Sequence, residues 1–296
     1  MGKIKWTDVP RPMIVVMVSE PTVDEAIKVI KRSEFDGAQA FIINLMGDGN
    51  LGLRKEFLNP KDLGKMFRST DKPCMVCYYR WDYSGKVVEE NDEERMGILL
   101  EAVKAGASIV DMQGDLFDET PGPAFFSEEA KEYSIIKGNR PREFTMDPVA
   151  IEKQKEFIKA VHKAGGQVQY SCHTRVHLTP QQAVEMGKEL ESRGPDAVKL
   201  VSVDLNWDDV VDTLQATVDL KKHMKVPYLM MSHGEHSVFV RYFAPLLGSM
   251  LCFCQQDFPV NGFYLQPILK NVKAIYDNAK NLYPAEPYDP YTESWL

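Results

Sequence analysis

The chain is poor in several features that would place it outside the cell or on a polyanion. Among its 296 residues are only five cysteines, an odd number. Cys74, Cys77, Cys172, Cys252 and Cys254 mostly lie inside apolar runs, so buried free thiols are expected rather than a disulfide framework. No stretch reaches the roughly 18 uninterrupted apolar residues of a membrane span, and the start MGKIKWTDVPRP lacks the apolar run of a signal peptide. A cytoplasmic protein with no membrane partner is expected. Positive charge is in deficit: 35 Lys and Arg against 43 Asp and Glu leave a formal net charge of −8. That argues against nucleic acid as a partner while leaving room for a local basic pocket. Internal repeats and low-complexity tracts are missing. A composition of 44% hydrophobic and 26% charged residues supplies a packed core and excludes wholesale disorder.

What the chain does have is alternation. Short apolar runs separated by amphipathic, helix-length segments occur eight times: Met13 to Val18, Ala38 to Leu45, Cys74 to Tyr79, Ser108 to Met112, Gln167 to Cys172, Ala197 to Val201, Tyr228 to Ser232 and Met250 to Cys254. Consecutive apolar positions suit parallel strands covered on both faces. Helix starts are readable in the capping-box patterns at Thr22 to Glu25 and Thr179 to Gln182, and in caps at Asn59, Asp147 and Asn206. Glycines after helices (Gly106, Gly165, Gly194) suit left-handed C-terminal caps. Eight strand-helix units in about 250 residues predict a closed parallel (β/α)8 TIM barrel spanning 1–296 as one α/β domain. An open dinucleotide-binding sheet would want G-x-G-x-x-G after its first strand, where Met17-Val18-Ser19-Glu20-Pro21 stands instead. Two segments exceed the minimal unit. They are an insertion after strand 4 (116–146), expected as a lid or oligomer contact, and a Pro/Tyr-rich tail (283–296).

In such a barrel the active site lies at the carboxyl ends of the strands. Lys199, flanked by Val198 and Leu200 inside strand 6, has nowhere to go but the lumen. Burial disfavours an ammonium, and a neutral amine is the nucleophile that forms a Schiff base with a carbonyl substrate. The bland alternative is that this strand register is wrong and Lys199 pairs with a nearby acid at the rim. His173 ends the neighbouring strand 5, within proton-transfer range of an adduct on strand 6. Arg80, ending strand 3, and Arg241, opening the helix after strand 7, offer planar forks for a carboxylate and imply an anionic substrate. His173, His233, Glu235 and His236 could converge on a metal, but no second cluster of standard spacing supports one, so no cofactor is expected. Cys74-x-x-Cys77 would place its thiols on opposite faces of a strand and is expected to be core.

Strung together, these residues resemble the type I 3-dehydroquinate dehydratase family. Ser232-His-Gly-Glu-His-Ser-Val-Phe-Val-Arg241-Tyr-Phe-Ala-Pro-Leu-Leu-Gly-Ser249 resembles its S-M-G-x-x-G-x-x-S-R-x-x-A-P-x-x-G-S; Gln169-Tyr-Ser-Cys-His173 resembles its V-S-Y-H, and Asp196-Ala-Val-Lys199 its A-D-I-V-K. The likeness runs roughly from Met13 to Tyr264. It implies Lys199 as the imine lysine, His173 as the acid-base residue, Arg241 as the substrate-carboxylate binder and Arg80 as a hydroxyl or carboxylate contact. There are departures. Ile42-Ile43-Asn44 stands where the family has E-W-R, and Pro259-Val-Asn-Gly-Phe263 where it has S-A-P-G-Q. Val110-Asp-Met-Gln113 stands where it has a strand-4 glutamate that orients the histidine, so Gln113 is expected to bond His173 without supplying charge.

The expected function is a Schiff-base-forming lyase that removes an α-proton with His173 and expels a β-leaving group from a small anionic cyclic keto acid. That substrate is 3-dehydroquinate or a less hydroxylated or O-substituted relative. Its catalytic residues are Lys199 and His173, and its substrate contacts Arg241, Arg80, Gln113, Asn44, His236 and Phe263. A homo-oligomer, a dimer, is expected. The alternatives are a retro-aldol enzyme using the same lysine, and a non-catalytic or metal-dependent barrel that binds an anionic small molecule.

Overall fold

A computed structural model describes residues 4–46, 52–80, 88–119, 143–258 and 265–280. Phe263, the middle of the insertion and the 283–296 tail lie outside the described residues. Eight strands form one parallel sheet: β1 (Met13–Val18), β2 (Ala40–Asn44), β3 (Cys74–Cys77), β4 (Ile109–Gln113), β5 (Gln167–His173), β6 (Ala197–Val203), β7 (Tyr228–His233) and β8 (Leu251–Cys254). They follow the order β7-β6-β5-β4-β3-β2-β1-β8. Across the remaining seam the Met250 amide donates to the Tyr228 carbonyl at 2.7 Å, and the Met230 amide to Ser249 Oγ at 3.0 Å. The sheet is therefore a nearly closed (β/α)8 barrel.

Between the strands lie α1 (Val23–Phe35), α2 (Pro60–Phe67), α3 (Asp92–Ala105), α4 (Pro148–Lys163), α5 (Pro180–Glu191), α6 (Trp207–His223), α7 (Ser237–Leu247) and, after β8, α8 (Leu269–Lys280). The caps read from sequence form at Asn59, Asp147, Thr179 and Asn206, and Thr179 makes the full reciprocal box with Gln182. Thr22 accepts from the Glu25 amide, but the Glu25 carboxylate turns to the Thr22 hydroxyl at 2.7 Å, so half of that box is absent. Asn91 and Glu94 form an unanticipated box at the start of α3. Gly106, Gly165 and Gly194 all carry positive φ after their helices, as their positions suggested.

Strand periodicity sorts the apolar residues into two cores. Outward positions such as Val16, Phe41, Val76, Val110, Tyr170, Val198 and Met230 pack beneath the helices. Inward positions such as Met13, Val15, Ala40, Ile42, Met75, Ala197, Val201, Leu229 and Phe253 fill the lumen, with Trp6 from the amino-terminal segment fully buried among them. Cys74 falls in the outer core and Cys77 in the inner one, and all five thiols are free and buried. No helix among the described residues is long and apolar enough to cross a membrane.

Candidate active site

The same alternation that fills the lower lumen with apolar side chains brings Asp111 and Gln113 of β4, Ser171 and His173 of β5, Lys199 of β6 and His233 of β7 to its carboxyl end. Ser171 is in register with both Gln113 and Lys199, which levels the three strands around one floor. Lys199 is 4% exposed, and its Nζ donates to Tyr79 Oη at 2.9 Å and to Asp111 Oδ2 at 3.1 Å. It lies over the rings of Tyr79 and Phe253, 5.4 and 5.6 Å from their centroids. Asp111 also accepts from the hydroxyls of Tyr79 and Ser171. Burial opposes its ionisation, yet Lys199 and these donors outweigh burial and hold the carboxyl below its ordinary range. Lys199 does pair with an acid, but from inside β6 and within the lumen, not at the rim through a shifted register as the bland reading had it.

His173 is the second centre. Its Nδ1 lies 2.6 Å from a carboxylate oxygen of Glu143, which also accepts from the His173 amide at 2.9 Å. Glu143 is fully buried, and its other oxygen accepts from Gln113 Nε2 at 3.0 Å. Burial alone would raise the Glu143 carboxyl, but His173 and Arg175 overcome it and keep the group ionised. For His173, burial pushes the imidazole pKa down and Lys199 adds to that, against the upward pull of Glu143. The result is a neutral ring whose Nδ1–H is fixed on Glu143, leaving Nε2 for chemistry. Its ring meets Tyr79 edge-on, with centroids 5.5 Å apart.

Glu143 corrects the sequence reading of Gln113. Gln113 does not bond His173. Its Oε1 accepts from the Arg80 amide at 2.6 Å and its amide group holds Glu143, so the charge that Gln113 could not supply comes from the last residues of the insertion. The returning segment passes close over β4. A Cβ at Gly114 would stand 1.9 Å from the Glu143 carbonyl oxygen, so only glycine permits that approach. The segment is pinned by the buried Arg193, which donates to the Thr145 carbonyl at 2.8 Å, and by the Thr145 hydroxyl on Asp118 at 2.6 Å.

The other candidates scatter. Arg80 lies one position past the inward-facing Tyr79, and its guanidinium bonds Asp92 at 2.6 Å and the Asp115 carbonyl at 3.0 Å, so it braces α3 against the β4 end. Asn44 is buried, with Oδ1 accepting from the Met46 amide at 3.0 Å, which shapes the turn after β2. His236 stacks on Trp207, centroids 4.5 Å apart, on the outer rim. Arg241 is buried on α7. It donates to the Ser232 carbonyl at 2.9 Å and to Gln266 Oε1 at 3.0 Å, and burial brings its guanidinium down to about 10. Arg175, which the sequence gave no reason to single out, adopts φ +64° after β5 and approaches Glu143 to 3.7 Å.

Residues 142–277 match the family model for type I 3-dehydroquinase. Among solved structures, 3-dehydroquinate dehydratase from Geobacillus kaustophilus is similar at 12% identity and a TM-score of 0.70, over 95% of this chain and 97% of that one. Type I 3-dehydroquinate dehydratase from Clostridium difficile, crystallised with covalently modified comenic acid, is similar at 17% identity and 0.70, over 96% and 98%. The Enterococcus faecalis enzyme is similar at 18% identity and 0.63, over 96% and 99%. No curated protein sequence matches the chain.

Proposed function

We propose, from the premise that the chain is a divergent member of the type I 3-dehydroquinase family, that it is a lyase forming an imine between Lys199 and a cyclic keto acid. The observation that carries this is the buried Lys199 beside Asp111, in a lumen it shares with a neutral His173 oriented by Glu143. Condensation of an ammonium with a ketone gives an iminium and water with no net proton change. Asp111 therefore faces one positive charge before and after, and serves as counter-ion to both. Asp111 and His173 are the groups within reach to hold the proton that Lys199 sheds while it attacks. The iminium acidifies the adjacent C–H. His173 Nε2 takes that proton, Glu143 stabilises the imidazolium, and the enamine expels the β-leaving group, which recovers the proton from His173.

Substrate preference follows from the wall opposite. Ile42 projects apolar surface where hydroxyl-binding groups would be needed, and Asn44 directs its carbonyl oxygen to its own loop. A polyhydroxylated ring finds few partners there, which favours a less hydroxylated or O-substituted keto acid over 3-dehydroquinate. The 3.1 Å Lys199–Asp111 pair also fits a second reading, a binding barrel in which that pair is purely structural. Ultraviolet detection of the conjugated enone formed from 3-dehydroquinate and from less hydroxylated analogues separates the two. The lyase reading predicts turnover of at least one, faster for the less hydroxylated rings; no enone from any would favour the binding barrel.

A further inference from the structure

His233 is the last residue of β7 and by the alternation of that strand faces the lumen, above Leu229 and Met231. Its ring lies 6.2 Å from that of His173, centroid to centroid, with the planes tilted by 32°. Two imidazoles therefore flank the space above Lys199. The surroundings of His233 are positive. Burial lowers its proton affinity most, and Arg241, His173, Arg175 and Lys199 each lower it further. A ring in that field is a neutral hydrogen-bonding group, unsuited to deliver a proton but able to hold an oxygen atom in place.

An elimination has two sites to manage, the α-carbon and the β-oxygen. We propose that His233 is a substrate-contacting residue that hydrogen-bonds the β-leaving-group oxygen of the Lys199 adduct and so selects substrates that leave as water or an alcohol. This rests on the imine reading above. In the step, the Cα–H bond breaks and its proton passes to His173 Nε2, the carbon–carbon double bond forms as the Cβ–O bond breaks, and the proton moves from His173 to the departing oxygen. His233 N–H stays bonded throughout, orienting that oxygen toward His173.

The test uses the full chain with sodium borohydride and each of 3-dehydroquinate and less hydroxylated cyclic keto acids that keep a β-oxygen, followed on whichever acid labels wild type best and read by mass spectrometry of the Lys199 peptide. The reduced adduct of the substrate and that of the eliminated product differ by one water, so their ratio reports elimination independently of imine formation. Wild type is expected to carry mostly the lighter adduct. His233→Leu should keep total labelling while the lighter fraction forms about tenfold more slowly, and His233→Gln, which retains an N–H donor, should recover much of that loss. An unchanged ratio and rate in His233→Leu, or a fall in total labelling with the ratio intact in both variants, overturns the assignment of His233 alone. Only heavier adducts in wild type with every one of these acids also overturn it, because the oxygen does not leave. No Lys199 adduct in wild type with any of these acids overturns the imine reading and this inference with it. If His233→Leu fails to fold, His233→Met, which also lacks a donor, carries the same comparison against His233→Gln.

Discussion

The lumen wall is built from two unlike arcs. From β8 through β1 and β2 to β3 it presents Phe253, Met13, Val15, Ala40, Ile42, Met75 and Cys77, a mostly apolar surface whose polar groups are Asn44 and Tyr79 at the carboxyl end. From β4 through β7 the apolar Ile109, Ala197, Val201, Leu229 and Met231 are joined by the polar Asp111, Gln113, Ser171, His173, Lys199 and His233. The type I 3-dehydroquinase match over 142–277 covers Glu143 and β5 to β8 but not β1 to β4. The polar arc holds the charge pairs that can drive imine chemistry, and the apolar arc excludes water, which strengthens those pairs and leaves little to recognise hydroxyl groups. On the proposed reading, the imine chemistry falls on strands inside the match, and the wall that would meet substrate hydroxyls falls on strands outside it.

Breaking the polar arc should have the largest effect. Lys199→Met is expected to abolish turnover, but it leaves Asp111 buried without its cation, so it should also cost about 3–5 kcal/mol in urea unfolding. Methionine alone is therefore not the neutral replacement its volume suggests. Lys199→Met combined with Asp111→Asn should restore stability and not activity; equal destabilisation by the double variant would mean that Asp111 does not depend on Lys199.

Next is the link between the insertion and His173. Glu143→Gln keeps the shape and removes the charge, and kcat/KM should fall about 100-fold. The sign of the pH effect is fixed: Glu143 raises the His173 pKa, so removing its charge moves the acid limb of kcat/KM further down from 6.5. An acid limb that moves up, or does not move, contradicts the pairing. Gly114→Ala should act through the same contact by displacing Glu143, with a loss of about tenfold and borohydride labelling of Lys199 preserved.

The part of this architecture that was legible in the sequence is the part fixed by local pattern. Strand positions followed from runs of Val, Ile and Met, and Lys199 stood out because a lysine between Val198 and Leu200 in a covered strand must enter the lumen. Its partner Asp111 was not singled out, since pairing across β4 and β6 depends on barrel closure. Arg80 was misplaced by one step of strand parity: Tyr79 faces in, and Arg80 turns out to Asp92. Glu143 was invisible because its role depends on a long-range return of the chain over β5, which no periodicity encodes.

A smaller effect is expected behind β7, where Asp204 accepts from Thr213 Oγ1 at 2.8 Å and from Ser232. Burial raises this carboxyl from 3.8 to about 6. Because the folded-state value is above the unfolded one, the stability it contributes is present below pH 3.8 and is lost as pH rises through 6. Asp204→Asn should therefore raise Tm at pH 8 by about 2–4 °C and flatten the dependence between pH 4 and 6. A variant less stable at pH 8 than the parent would show that the ionised form is the one the fold prefers.

The central claim is that the polar arc makes an imine at Lys199, and sodium borohydride trapping tests it most directly. Incubation with 3-dehydroquinate and with less hydroxylated cyclic keto acids, followed by reduction and peptide mass analysis, should give a permanent adduct on Lys199 and none in Lys199→Met/Asp111→Asn. Failure of every such acid to label the protein, or labelling confined to other lysines, would contradict it.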